Sequence, residues 1–87
     1  MMKYMNALYE ARTQFSEADN FHAMFALDTA IDLWDAFNKP IDPKVSVPRL
    51  YTALKRNIEV DADSRTGYQT ALELLRKHYP EYLSSEE

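Results

Sequence analysis

The chain has 87 residues, with no cysteine and only one glycine, Gly67. Without thiols it can form neither a disulfide framework nor a cysteine-based zinc site. With one glycine it lacks the residues that the tight turns of an all-β fold require. Both absences favour an all-helical (all-α) fold.

Long apolar segments are missing as well. Glu10 and Arg12 lie too early in the chain for the apolar core of a signal peptide. No stretch approaches the roughly 20 apolar residues of a membrane-spanning helix, and the longest apolar run covers only residues 23–27. We therefore expect a cytoplasmic protein, with at most peripheral contact at the inner face of the membrane.

Charge is unevenly distributed along a chain whose net charge is −4. Residues 1–43 carry three Lys or Arg against seven Asp or Glu, residues 44–79 carry seven against four, and residues 80–87 carry none against three. The middle segment is too weakly basic for a dedicated nucleic-acid surface, so we expect no nucleic-acid partner. This asymmetry favours a protein partner, or weak attraction to an anionic membrane surface.

Apolar residues recur at helical spacing in four segments. The expected helices cover residues 3–16, 20–38, 47–59 and 63–79, and residues 80–87 form a loose tail. No Gly or Pro separates the first two helices, yet their apolar faces differ in direction by about 170° at 100° per residue. We therefore expect a break within residues 16–20, where Ser16, Asp19 or Asn20 could cap the second helix.

The second helix has the widest apolar stripe and is expected to contact every other helix. Its stripe comprises Phe21, Met24, Phe25, Leu27, Ala30, Ile31, Leu33, Trp34 and Phe37. Pro40 excludes the residue before it from helical geometry and so ends the helix.

Caps and prolines delimit the last two helices. We expect the third helix to begin with Ser46 as its cap and Pro48 in its first turn. We expect either Asp61 or Asp63 to cap the fourth helix. Gly67 falls in the first turns of the fourth helix, where it costs about 1 kcal/mol relative to Ala. It is either tolerated near a helix end or needed for close approach to a neighbour. Together the segments predict one domain, residues 1–87, folded as an antiparallel up-down four-helix bundle.

Candidate catalytic and metal-binding groups are sparse. Asp28, Asp32 and Asp35 share a helix face, but carboxylate-bridged metal sites in bundles use Glu and a Glu-x-x-His pattern that this sequence lacks. We interpret the three acids as a solvated face. His22 and His78 belong to no zinc-ligand spacing. We expect a protein without enzymatic activity, metal or cofactor.

Basic and aromatic residues cluster near the C-terminus. Tyr79 and Tyr82 flank Pro80 and follow the basic residues 76–78. Tyr and Arg are enriched at the energetic centres of protein interfaces, so this cluster is a candidate binding surface. Alternatively, a tyrosine folds back on the bundle as a staple while the cations complement the negative end of the helix dipole. The two interpretations are compatible.

Two segments resemble a known family. The pattern Thr66-x-Tyr68-Gln69-x-x-Leu72-x-x-Leu75 looks like the start of the last helix in the immunity proteins of class IIa (pediocin-like) bacteriocins, which are small cytoplasmic four-helix bundles. Ser46-Val47-Pro48, followed by a Leu-rich helix, is also similar to members of that family. The resemblance covers residues 46–75, and the first half of the chain agrees only in length and helical periodicity.

The resemblance implies a function. Such proteins protect a bacteriocin producer by acting, from the cytoplasmic side, on the mannose phosphotransferase permease once bacteriocin has engaged it. Their C-terminal half is held to select the bacteriocin that is countered. On this sequence, the resemblance assigns recognition to the exposed face of the last helix and the tail: Arg65, Gln69, Arg76, Lys77, His78, Tyr79 and Tyr82. We expect a monomer or weak dimer.

Two other classes of function remain open. The chain could be a small regulatory or phage-encoded helical adaptor that binds a soluble cytosolic protein through the same surface or through the Asp28, Asp32 and Asp35 face. A metal or phosphotransfer protein is the third class. It would show bound metal or phosphohistidine in the purified chain, and we expect neither.

Overall fold

The computed structural model describes residues 2–37, 39 and 42–83. They form four α-helices: α1 (Met2–Glu17), α2 (Phe21–Phe37), α3 (Pro43–Val60) and α4 (Arg65–His78). Short 3-10 turns, Ala62–Ser64 and Pro80–Tyr82, precede and follow α4. No strand occurs among these residues, and the prediction of an all-helical fold is confirmed.

The turn between α1 and α2 lies inside the expected interval. Asp19 adopts a left-handed conformation, with φ of 58°, which Asp tolerates better than most residues. The Asn20 N–H donates to the Phe15 carbonyl at 2.9 Å. The Asn20 side-chain oxygen accepts from the Ala23 N–H at 3.3 Å. Of the three candidate caps, Asn20 is therefore the residue that caps α2.

Helix α3 begins four residues before its expected start, so the assignment of Ser46 as its cap was wrong. The side chain of Asp42 caps the helix by accepting from the Lys44 N–H at 3.2 Å. Pro43 takes the first helical position, where a missing N–H costs nothing. Ser46 is instead buried within the helix, and its hydroxyl donates to the Asp42 carbonyl at 3.1 Å. Pro48 lies inside α3 rather than in its first turn.

Helix α4 begins at Arg65, two residues after its expected start, and neither proposed aspartate caps it. The Asp61 N–H donates to the Asn57 carbonyl at 2.9 Å and closes the end of α3. Asp63 lies within the 3-10 turn, and Ser64 holds the cap position without a capping side-chain hydrogen bond. The turn itself leads the chain from α3 into α4.

Helices α2 and α4 form the centre of the fold. As expected, α2 contacts each of the other three helices, and α4 does so too. Direct contact between α1 and α3 is slight, because the α2–α4 pair separates them. The largest fully buried side chains come from all four helices and the C-terminal turn: Tyr4, Leu8, Leu27, Leu50, Leu54, Leu75 and Leu83.

The buried face of α2 differs from the expected stripe. Phe21 and Phe25 are 50% and 58% exposed, so their assignment to the core was wrong. The small residues Ala23 and Ala26, which the stripe left out, are buried instead, together with Ala30, which the stripe included. They lie on the face that α4 approaches, and bulky side chains there would hold the two helices apart.

Gly67 lies at the closest approach of α2 and α4. A Cβ atom at this position would lie 2.6 Å from the Ala26 Cβ and 2.9 Å from the Ala23 Cα, and closer still to the Ala23 carbonyl oxygen. Such contacts are too short for real side chains, and a backbone neighbour cannot move aside cheaply. The second interpretation of Gly67 is therefore correct, because the glycine is needed for close packing.

The end of the chain is more ordered than the loose tail predicted for residues 80–87. Residues 80–82 form a turn, Tyr82 is half-buried and Leu83 is fully buried in the core. Burial of Leu83 removes apolar surface from water and so favours this attachment. Residues 84–87 lie outside the described part of the chain.

We predict that Gly67→Ala destabilises the protein. Ala would gain about 1 kcal/mol in helix propensity, but overpacking against the α2 backbone should outweigh this gain. The free energy of unfolding, measured by urea denaturation and circular dichroism, should fall by about 1–3 kcal/mol.

The matched control is Thr66→Ala, one residue earlier and exposed. It should change stability by less than about 0.5 kcal/mol. A Gly67→Ala protein as stable as the original chain would contradict the close approach.

Candidate functional site

The seven residues assigned to partner binding do not form one surface. Gln69 and Arg76 line a groove between α3 and α4. The helical phase of Arg65, which is exposed, places it on the same side of α4. Lys77 and His78 line a different groove, between α1 and α4. The remaining two residues belong to an aromatic cluster at the end of α4.

The first group adjoins a cationic and aromatic arrangement that the sequence did not reveal. Lys55 and Arg76 both lie over the Tyr51 ring, with Nζ and Cζ each 5.4 Å from the ring centroid. Arg76 Nη2 also donates to the Tyr51 hydroxyl oxygen at 2.6 Å. The Tyr51 ring is buried and therefore fixed. We call Tyr51, Lys55, Gln69 and Arg76 the Tyr51 surface.

The groove beside the Tyr51 surface combines an apolar floor with charges of both signs. It encloses about 370 Å³; Ile58 and Leu72 form its floor, and Glu59 and Glu73 accompany the two cations. Attraction to a partner through such mixed, exposed charges is modest and falls as salt concentration rises. The geometry suits a peptide segment that carries an acidic group beside an apolar one.

Tyr79 and Tyr82 pack back onto the bundle. The Tyr79 ring lies 5.6 Å from the Trp34 ring and 6.2 Å from the Tyr4 ring, centroid to centroid. The Tyr82 ring lies 6.1 Å from that of Tyr79. The staple interpretation of these tyrosines therefore holds. Because both rings are only half-buried, part of their surface still faces outward.

Tyr4 connects α1 to α4 at the base of this cluster. Its hydroxyl donates to the Ala71 carbonyl at 2.9 Å, and its side chain is fully buried. Burial, and to a lesser extent Tyr79, raises the pKa of Tyr4 far above its ordinary value. Burial also raises the pKa of Tyr79, with smaller contributions from Glu81 and Tyr82. Both shifts favour the neutral forms of Tyr4 and Tyr79.

The acidic residues of α2 are distributed as a solvent-facing row. Asp28 forms an ion pair with Arg12 of α1, and Asp35 pairs with Lys39 at 3.3 Å. Asp32 is exposed. Among the described residues, no group of three or more His, Cys, Asp or Glu side chains is arranged to hold a metal ion. The link between Arg12 and Asp28 ties α1 to α2.

Long-range contacts account for what sequence reasoning missed. Tyr51 and Lys55 stand four residues apart and share a helix face, so this pair was detectable from the sequence alone. Arg76, 25 residues after Tyr51, was not linked to it by any local signal.

Within the described ranges, no helix has both the length and the apolar character needed to cross a membrane.

Comparisons with protein-family models, with curated proteins and with solved structures find no match to this chain.

We predict that stability falls above pH 10 because of Tyr4. In the unfolded chain this tyrosine ionises near its ordinary pKa of 10.0, whereas in the folded protein it keeps its proton. Its stabilising contribution is therefore present below pH 10 and is lost, at about 1.4 kcal/mol per pH unit, as pH rises further.

Tyr4→Phe should remove this component of the pH dependence. At neutral pH it should lower the free energy of unfolding by about 1 kcal/mol, because the hydrogen bond to Ala71 is lost. Urea denaturation between pH 7 and pH 11 measures both effects. An unchanged slope above pH 10 in Tyr4→Phe would show that Tyr4 is not the group responsible.

Proposed function

We propose that the chain is a non-enzymatic binding protein and, specifically, a bacteriocin immunity protein. It acts in the cytoplasm, at the inner face of the membrane, on the mannose phosphotransferase permease with bound bacteriocin. The observation that carries the proposal is the Tyr51 surface, which offers fixed cationic groups in the half of the chain where the family resemblance places recognition.

Rigidity is what makes the Tyr51 surface suitable for recognition. Long basic side chains normally lose rotamer freedom when they bind, which weakens association. Arg76 is held by the Tyr51 hydroxyl and ring, so part of that ordering has already taken place on folding. A guanidinium is a permanently charged, planar group whose geometry matches that of a carboxylate. An acidic loop of the receptor complex is a partner of this chemistry.

The residues that carry the family resemblance play a different part. Of the eight residues that carry it, five are buried: Ser46, Val47, Tyr68, Leu72 and Leu75. Pro48 is half-buried, and Thr66 and Gln69 are exposed. The buried residues support a shared mode of helix packing, and they leave partner choice to the exposed residues between them. This division agrees with a family whose members share a fold and differ in the bacteriocin they counter.

We also propose that the four helices alternate in direction, as in an up-down bundle. Contacts between helix ends support this arrangement. Tyr4, near the start of α1, contacts Trp34 near the end of α2 and Tyr79 just after α4. Gly67, near the start of α4, meets Ala23 near the start of α2. All three contacts follow if α1 runs antiparallel to α2 and α4.

Expression in a bacteriocin-sensitive strain tests the function. We expect the chain to protect cells against at least one pediocin-like peptide of a panel, measured as growth inhibition. Lys55→Glu should reduce protection about tenfold or more, because it turns attraction to an acidic partner into repulsion. Lys3→Glu makes the same charge change at an exposed position of α1 and should leave protection intact.

Folding is checked by circular dichroism, and accumulation of each variant by immunoblotting. Unchanged killing by every peptide of the panel, in cells that accumulate folded protein, would refute the immunity function. Equal protection by the Lys55→Glu and Lys3→Glu variants would refute the role of the Tyr51 surface.

A soluble adaptor is the second candidate function, and the exposed face of α2 favours it. Phe21 and Phe25 lie one turn apart and are at least half exposed, and the exposed carboxylate of Asp32 shares their face. A stoichiometric partner recovered from cytosol, and lost on Phe25→Ser, would support the adaptor. Recovery of the permease from solubilised membranes, unaffected by Phe25→Ser, would support immunity instead.

A further inference from the structure

A second groove lies on the other side of α3, between α3 and the C-terminal half of α2. It encloses about 630 Å³. Its apolar lining includes Leu33 and Phe37 from α2 and Ala53 from α3, and Arg49 and Arg56 of α3 also line it. We call it the α2–α3 groove.

The charges that line the α2–α3 groove are all positive. None of the described residues that line it is acidic, and neither arginine forms an ion pair within the described part of the chain. Glu59 shares a separate surface pocket with Arg56 and does not line this groove. By contrast, acids line the other two grooves themselves: Glu59 and Glu73 the α3–α4 groove, and Glu10 the α1–α4 groove. An apolar floor with unpaired arginines is complementary to a ligand that is both apolar and anionic.

The spacing of the arginines indicates the form of that ligand. Arg49 and Arg56 are seven residues apart, which places them on one side of α3 and about 10.5 Å apart along its axis. Carboxylates seven residues apart on a partner helix have the same spacing. On an extended strand, side chains of one face repeat every 6.6 Å or so, and 10.5 Å falls between two repeats. A helix is therefore the better match.

We propose that the α2–α3 groove docks an amphipathic helix of a protein partner. The helix carries two acidic side chains seven positions apart, with apolar residues between them on the same face. Its carboxylates pair with Arg49 and Arg56, and its apolar residues cover Leu33 and Phe37. Helix-in-groove docking of this kind places apolar anchors at successive turns. The proposal concerns a different surface from the Tyr51 surface and does not depend on the immunity function.

A designed peptide tests the proposal on the full chain. The probe is a helical peptide of about four turns with two Glu seven positions apart and Leu residues between them on one face; the reference peptide has Gln in place of both Glu. Titration of isotope-labelled protein, followed by nuclear magnetic resonance, should shift the signals of Leu33, Phe37 and Ala53. The Gln peptide should bind about tenfold more weakly.

Two protein variants locate the contact. The double variant Arg49→Glu and Arg56→Glu should weaken binding of the Glu peptide about tenfold or more. The matched double variant Lys3→Glu and Lys44→Glu makes the same charge change at two exposed lysines outside the groove, and should change affinity no more than about threefold at physiological salt. Ala53→Phe fills the groove without altering charge, and should block binding while signal dispersion confirms a folded protein.

Several outcomes would overturn the proposal. Equal affinity for the Glu and Gln peptides would show that the arginines do not bind the acidic side chains. Shifts confined to the Tyr51 surface would place the contact elsewhere. A groove that responds to phosphatidylglycerol vesicles, but not to the Glu peptide, would identify a lipid surface as its ligand. Because the immunity assay depends on Lys55 and this titration on Arg49 and Arg56, either proposal can fail while the other stands.

Discussion

The close approach of α2 and α4 is the constraint on which the rest of the structure depends. Ala23 and Ala26 of α2 face Gly67 of α4 at a distance that excludes even a methyl group. Because α2 and α4 pack so closely, they form a central pair of helices. Helices α1 and α3 both pack against this pair and have little contact with each other. Small residues at the crossing thus determine how an 87-residue chain with one glycine closes its core.

This arrangement leaves α3 with grooves on both sides, and the two grooves differ in character. Toward α4, the buried Tyr51 ring holds Lys55 and Arg76 beside acidic neighbours, so we expect recognition there to depend on fixed geometry more than on net charge. Toward α2, Arg49 and Arg56 lie beside an apolar floor in a groove that no described acid lines, so we expect charge complementarity to contribute more to binding there. The core fixes the backbone of α3 for both, because Leu50 and Leu54 are fully buried.

Periodicity in the sequence predicted the helical class and the position of the first turn, because these follow from local patterns. Local signals were ambiguous elsewhere. Both Asp42-Pro43 and Ser46 with Pro48 can open a helix, and the earlier pair does so. The large apolar side chains of Phe21 and Phe25 suggested the wrong buried face for α2. Helix α4 packs against the face that carries the small residues instead. The seven candidate site residues are distributed over separate surfaces because their positions depend on tertiary packing. Helical phase showed which residues of α4 are exposed, but it could not show which neighbouring helix each one faces.

Contacts at the α2–α4 crossing provide the most direct test of this account. In a nuclear Overhauser spectrum of the folded chain, the two α-protons of Gly67 should show strong cross-peaks to the methyl group of Ala26 and to the α-proton of Ala23. Such peaks require protons within about the van der Waals contact distances of close packing. If these peaks were absent, and the Ala23 and Ala26 protons instead showed cross-peaks to α1 or α3, the arrangement of the helices described above would be wrong.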